Sequence, residues 1–143
     1  ARQNAARLGV ADRVTFAEGA YLAGAMGPWD VIVSNPPYVA DADRPALSPD
    51  VVDHEPHLAL FSGPDGLGCI REIVRLAPAQ LTAGGWLLFE FGFGQADAVR
   101  DLIAATPALT RVELVPDLQG IPRIAIARRE ESWPGSGSAN LAR

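Results

Sequence analysis

The stretch Asn35-Pro36-Pro37-Tyr38 brings together residue types suited to holding a planar nitrogen group. Asn35 carries a side-chain carbonyl, and the backbone carbonyl of Pro36 follows directly. Two converging acceptors match the two protons of an –NH2 group. Tyr38 adds a flat face on which an amide or a base can stack. Proline lacks an N–H, fixes its own φ and biases the preceding residue towards extended geometry. Two in a row therefore make a short, stiff loop with outward carbonyls. A strand that simply ends in a proline turn is an equally good account of these residues alone, since Pro-Pro marks loops generally.

Other candidate side chains form weaker patterns. His54 and His57 stand close together with acids nearby, but no third or fourth ligand follows at metal-site spacing, so no metal is expected. Glu55 is either a contact to substrate backbone or an exposed loop acid. Glu90 is either a site residue or a structural hydrogen-bond acceptor at a strand end. Cys69, between Gly68 and Ile70, has the surroundings of a small packed residue rather than a reactive thiol. The run Arg128-Arg129-Glu130-Glu131 balances its own charge and reads as a solvated strand end.

The elements that must position these residues follow from periodicity. Residues 30–34 form an apolar strand that stops at the Asn-Pro-Pro-Tyr loop. Residues 13–19, β-branched and aromatic up to Gly19, predict an earlier strand. Residues 39–66, rich in proline and acid and without a sustained period, predict a long functional loop. Residues 67–81 predict a helix with Ile70, Ile73, Val74 and Ala77 on one face, and Pro78 marks a kink late in it. Gly84-Gly85 predicts a turn into the continuous apolar run 86–91, a strand covered on both faces. A helix over 95–105, facing inwards with Ala98, Leu102 and Ile103, precedes strands at 111–115 and 123–127. This is the back half of a doubly wound α/β sheet, in which ligands bind beyond the carboxyl ends of the strands. The Asn35–Tyr38 loop and Glu90 fall at such ends.

The 143 residues are the size of one domain, and 48% hydrophobic with 20% charged residues is an ordinary globular composition. A net charge of −5 and a pI near 4.9 argue against a broad grip on nucleic-acid phosphates. A single cysteine cannot form an internal disulfide, which suits a reducing, cytoplasmic compartment. No apolar run approaches the roughly 20 residues of a membrane span, and no signal peptide is recognisable, so no membrane partner is expected. The uncapped helical opening over residues 1–9, without an initiator Met, leads to the expectation of a fragment of a longer protein. Residues 1–131 are expected to form part of a catalytic domain, and 132–143 a disordered tail.

Taken together, these residues resemble the class I S-adenosylmethionine-dependent methyltransferases, and within them the HemK/PrmC group, which methylates the glutamine amide of the Gly-Gly-Gln loop in peptide-chain release factors. Asn-Pro-Pro-Tyr occurs also in amino-directed adenine and guanine methyltransferases of nucleic acids. More specific are Glu55-Pro56 with Ala59-Leu60 and Gly63-Pro64-Asp65-Gly66-Leu67, similar to this group's "Glu-Pro…Ala-Leu…Gly-x-Asp-Gly-Leu". Gly84-Gly85, Leu88, Glu90, Gly92 and Gln95 resemble its "Gly-Gly…Leu…Glu-x-Gly…Gln" strand, and Asp117, Gly120 and Arg123 its closing hairpin. The resemblance covers roughly residues 1–129.

It implies a partial doubly wound, Rossmann-like sheet, mostly parallel with an antiparallel C-terminal strand pair, whose N-terminal strands and glycine-rich cofactor loop precede residue 1. It implies S-adenosylmethionine as cofactor and release factors as protein partners. Asn35 and Pro36 would be the catalytic pair, with Pro37, Tyr38 and Glu55 contacting substrate. Tyr21 would pack on the adenine, with Asn35 also at the cofactor. Where the group usually has an adenine-side Asp, this chain has Ala20. Two alternatives stand beside this reading: an amino-directed nucleic-acid methyltransferase, against which the acidic 39–66 loop argues, and an inactive piece lacking the cofactor half. The isolated chain is expected to be poorly stable and unable to bind cofactor.

Overall fold

The structure is a computed structural model and describes residues 1–22, 27–48 and 56–132. Among these residues four strands make one sheet: β1 (Trp29–Ser34), β2 (Leu81–Glu90), β3 (Leu109–Pro116) and β4 (Pro122–Arg129), in the order β1-β2-β4-β3. β1 and β2 are parallel, while β4 runs antiparallel to both β2 and β3. The helices are α1 (Arg2–Arg7), α2 (His57–Leu60), α3 (Gly68–Gln80) and α4 (Ala96–Ala104). A parallel pair needs a crossover rather than a tight hairpin, and α3 supplies it between β1 and β2. The short chain between β3 and β4 suffices because that pair is antiparallel.

The core lies on one face of the sheet. Ile32 of β1, Leu87 and Phe89 of β2, and Ala125 and Ala127 of β4 are buried there, in register across the strands. Ile70, Ile73, Val74 and Ala77 of α3, spaced at the helical period, pack onto them together with Val99 and Ile103 of α4. Burying one such large side chain stabilises by about 1.5–3 kcal/mol. The opposite face is open: Val31 is 51% and Val33 74% exposed, and Ile124 is exposed as well. Helix α1 ends at Gly9, whose φ of +67° lets its own N–H reach Ala6 and the Val10 N–H reach Ala5. These paired bonds close the last turn without a Cβ clash.

Several sequence expectations change. Residues 13–19 are not a strand; after a 3-10 turn at Ala11–Arg13 they run without ladder partners. A strand is defined by its neighbour, and no described strand lies beside this segment. Gly84-Gly85 does not turn the chain before β2. Both lie inside it, and Gly84, at φ +74°, sits where the pairing with β1 shifts between Trp29–Leu81 and Val31–Trp86. Pro78 does not divide α3, which runs unbroken to Gln80. The 39–66 segment carries a 3-10 turn at Asp41–Ala46 and helix α2, and a single parallel bridge joins Val39 to Phe61. Arg129 is buried rather than solvated. Its guanidinium donates to the Leu81 carbonyl, tying the end of β4 to the start of β2. Arg128 stacks on Trp86 and donates to the Gly84 carbonyl at 3.0 Å.

No helix among the described residues is long and apolar enough to cross a membrane. Of the tail expected at 132–143, only Ser132 is described, and residues 133–143 lie outside the described residues.

Candidate functional site

β1 and β2 end side by side, with Ser34 paired to Phe89, so Asn35 and Glu90 emerge at the same edge of the sheet. β4 enters at that edge, with Ile124 opposite Glu90. The β3–β4 turn therefore lies there too. Asp117 organises it by accepting the N–H groups of Gln119 and Ile121 at 2.8 and 3.0 Å. Those backbone donors, Ile121 foremost, with Arg123 beside them, hold the Asp117 carboxyl below its usual range.

After β1 the chain alternates in exposure. Asn35 is exposed, Pro36 buried, and Pro37 and Tyr38 half-buried. Burying a proline leaves no N–H without a partner. Neither the Asn35 carboxamide nor the Pro36 carbonyl is hydrogen-bonded to another described residue. Among the described residues, both acceptors are thus without a partner. Asn35, Pro36 and Pro37 form one wall of a cleft of about 530 Å³ whose other sides include Tyr21, Phe61, Cys69 and Ile73. That volume lies within the roughly 300–1,000 Å³ common for small-molecule sites. On its other side the same loop borders a smaller groove of about 210 Å³ with Tyr38, Ala59 and Leu60. Asn35 and its two prolines therefore separate two openings.

Tyr38 is fixed at both ends. Its hydroxyl donates to Glu90 Oε1 at 2.8 Å, and its carbonyl accepts from Gln95 Nε2 at 2.9 Å. Partial burial, then the bond to Glu90, push the Tyr38 hydroxyl pKa above the ordinary phenol value. Tyr38 is accordingly a neutral donor at physiological pH. Glu90 takes the structural role of acceptor for this hydroxyl. Tyr21, half in the cleft, adopts φ 53°, an uncommon backbone for a residue with a side chain. Its hydroxyl and the Cys69 thiol lie 3.7 Å apart, within reach of a sulfur hydrogen bond, and the neighbouring Cys69 leads the rise in the Tyr21 pKa. Cys69 is buried as expected, and its own N–H is capped by Ser62 Oγ at 2.6 Å at the start of α3.

Glu55 and His54 lie outside the described residues. His57 stands edge-on to Phe61, with Nδ1 3.5 Å from Arg44. Two residues emerge that were singled out only as parts of a motif. Asp65 caps the Leu67 N–H at 3.1 Å and pairs with Arg71, whose guanidinium holds its carboxyl down at about 2. Gln95 spans three loops with one amide. Beyond its place in that motif, the signal for it in the sequence is a polar residue directly before a helix and three places after a glycine.

The cleft's lining tests the fit of a sulfonium nucleoside cofactor. Tyr21, Phe61, Ile73 and the prolines offer apolar walls for a heterocycle, and Asn35 a polar edge. Among the described residues, the lining contains no carboxylate for ribose hydroxyls and no cation for an amino-acid carboxylate. The described residues thus fit one side of such a group.

No family model matches the chain. It is similar to the release factor glutamine methyltransferase of Bradyrhizobium diazoefficiens, 45% identical over 90% of this chain and 43% of that protein. It is likewise 47% identical to the protein of the same name from Cereibacter sphaeroides, over 90% of this chain and 46% of the other. The chain therefore spans less than half the length of these relatives. Among solved structures, TrmN from Thermus thermophilus superposes with a TM-score of 0.50 at 17% identity, covering 90% of this chain and 32% of that one. That likeness supports the fold alone. The resemblance read from the motifs is borne out: over nine-tenths of its length the chain is related to release factor glutamine methyltransferases.

Proposed function

We propose that this chain is the acceptor-binding part of an S-adenosylmethionine-dependent methyltransferase that modifies the side-chain amide nitrogen of a glutamine in a release factor. The observation that carries the reading is the pair of acceptors, Asn35 and Pro36, unengaged by any described residue, on the wall of the cleft at the carboxyl edge of β1. The names of the relatives supply the substrate class. The cofactor, when bound, supplies an electrophilic methyl group.

An amide nitrogen is a poor nucleophile because its lone pair is delocalised into the carbonyl. The Asn35 side-chain oxygen and the Pro36 carbonyl would accept its two N–H bonds and turn the lone pair towards the cleft. This is positioning and preorganised electrostatics, not strong-base catalysis. Two prolines keep both acceptors in place at little cost in ordering. Tyr38, locked through Glu90 and Gln95, borders the groove on the outer side, where the glutamine would enter. Pro37 lines both openings, and Tyr21, which lines the cleft, would pack against the cofactor's heterocycle there. Glu55 is proposed as a contact to the substrate backbone.

The test incubates the full-length protein that carries this chain with S-adenosylmethionine and a Gly-Gly-Gln peptide of a release factor. Mass spectrometry should find one added methyl group on the glutamine. Asn35→Ala should lower kcat by about 100-fold, the typical effect of losing one preorganised contact. Activity within a factor of two of wild type would remove Asn35 from this role.

A further inference from the structure

We infer that Gln95 is the positioning residue of the acceptor loop: its one carboxamide joins the three segments whose mutual placement aims Asn35 and Pro36. The inference rests on the reading of that loop given above. Gln95 Nε2 donates to the Tyr38 carbonyl at 2.9 Å and to the Asp65 carbonyl at 3.2 Å, while Oε1 accepts the Gly92 N–H at 2.7 Å. Both amide protons and the carbonyl are thus used, one on each of three loops. The opposite amide orientation would set Oε1 against two carbonyls and Nε2 against an N–H, so the network admits one orientation.

The backbone around the carboxamide leaves no slack. Gly66, at φ +72°, lies so close that a Cβ there would collide with the Tyr38 carbonyl oxygen and come to 2.8 Å from Gln95 Nε2. A Cβ on Gly92 would stand 3.0 Å from Gln95 Oε1 and 3.2 Å from the Tyr38 ring. Gln95 itself is anchored, since its N–H donates to the Gly92 carbonyl at 3.2 Å and its carbonyl accepts the Val99 N–H at 2.9 Å in the first turn of α4. The chain from the acceptor loop to the rigid helix is therefore short: Asn35 and Pro36 to Tyr38, Tyr38 to Gln95, and Gln95 to α4. No other described side chain binds the Tyr38 carbonyl.

Glutamate at this position keeps the shape but replaces the donors with acceptors facing two carbonyls. Methionine keeps the length and removes every hydrogen bond. In the full-length protein, Gln95→Glu and Gln95→Met should each lower kcat for the Gly-Gly-Gln peptide by about ten- to hundred-fold, since small misplacements of a reacting group cost that much. The KM for S-adenosylmethionine should stay within about two-fold, because Gln95 does not line the cleft. In an Asn35→Ala background the same substitutions should cost less than they do in the wild type, because one of the two acceptors they misplace is gone. Thermal melting of each variant reports the folded fraction, and kcat is expressed per folded molecule. An unchanged kcat, or an equal loss in both backgrounds, overturns the inference. Near-wild-type activity of Asn35→Ala would instead overturn the acceptor-loop reading itself. An inactive Asn35→Ala beside an active Gln95→Glu overturns only the role of Gln95.

Discussion

At the scale of single residues, the loop after β1 divides its labour. Among the described residues Asn35 and Pro36 leave their acceptors without a partner, while Tyr38 uses its hydroxyl and its carbonyl to hold the loop in place. Stacking against a substrate plane is therefore left to whatever part of the Tyr38 ring borders the outer groove. Asp65 provides a pH-dependent support for the same region. Its folded pKa of about 2 lies below the ordinary 3.8 because Arg71 and the Leu67 N–H favour the carboxylate. A depressed carboxyl stabilises the fold above its unfolded value and loses that contribution as pH falls through the folded one. Asp65→Asn should thus be less stable than wild type near neutral pH, and the gap in urea midpoint should close as the pH is lowered from about 4 to about 2. A gap that persists at the acid end would mean that the effect does not come from the charge of the carboxylate.

At the scale of elements, α3 and the first turn beyond β2 do most of the positioning. Helix α3 buries Ile70, Ile73, Val74 and Ala77 against the sheet and presents Cys69 and Ile73 to the cleft. Its packing thus sets both the core and one wall of the site. Ile70 is fully buried and does not line the cleft, so Ile70→Ala should cost about 2–5 kcal/mol in chemical denaturation. A loss well under that range would mean that the helix relaxes into the space. The periodicity of α3 and α4 was legible because one face of each is apolar at the helical spacing. Val99 belongs to that face although Ala98 and Leu102, only half-buried, look equally suited from the sequence. The strand expected over residues 13–19 does not form for the complementary reason: β propensity describes a segment, but a ladder needs a partner.

At the scale of the whole molecule, the sheet is two-sided in sequence and one-sided in structure. Neighbouring residues on β1 report the difference. Ile32 is buried under the helices, and Val33 points to the open face. In the isolated chain, Val33→Asp should leave the denaturation midpoint nearly unchanged, within about 0.5 kcal/mol, as is usual at exposed positions. Ile32→Asp should abolish cooperative unfolding, because it buries an unpaired charge. Equal effects at the two positions would mean that the open face is covered in solution. The open face also accounts for the expectation of low stability, since Val31, Val33 and Ile124 contribute little burial in this arrangement.

The sequence by itself determined the order of the main strands and helices, the position of the Asn-Pro-Pro-Tyr loop at a strand end and the kinship on which the functional reading rests. Those follow from local chemistry: apolar periodicity, proline's missing N–H and the spacing of motif residues. Tertiary structure alone decided which acceptors stay free, that Tyr38 is spoken for by Glu90, that Arg129 is buried on Leu81 and that Gln95 gathers three loops. Each of these joins groups that are dozens of residues apart, or depends on a backbone carbonyl that has no letter in the sequence. A hydrogen bond to a carbonyl leaves no trace in the identity of the residue that accepts it, so only the fold could reveal where Gln95 acts.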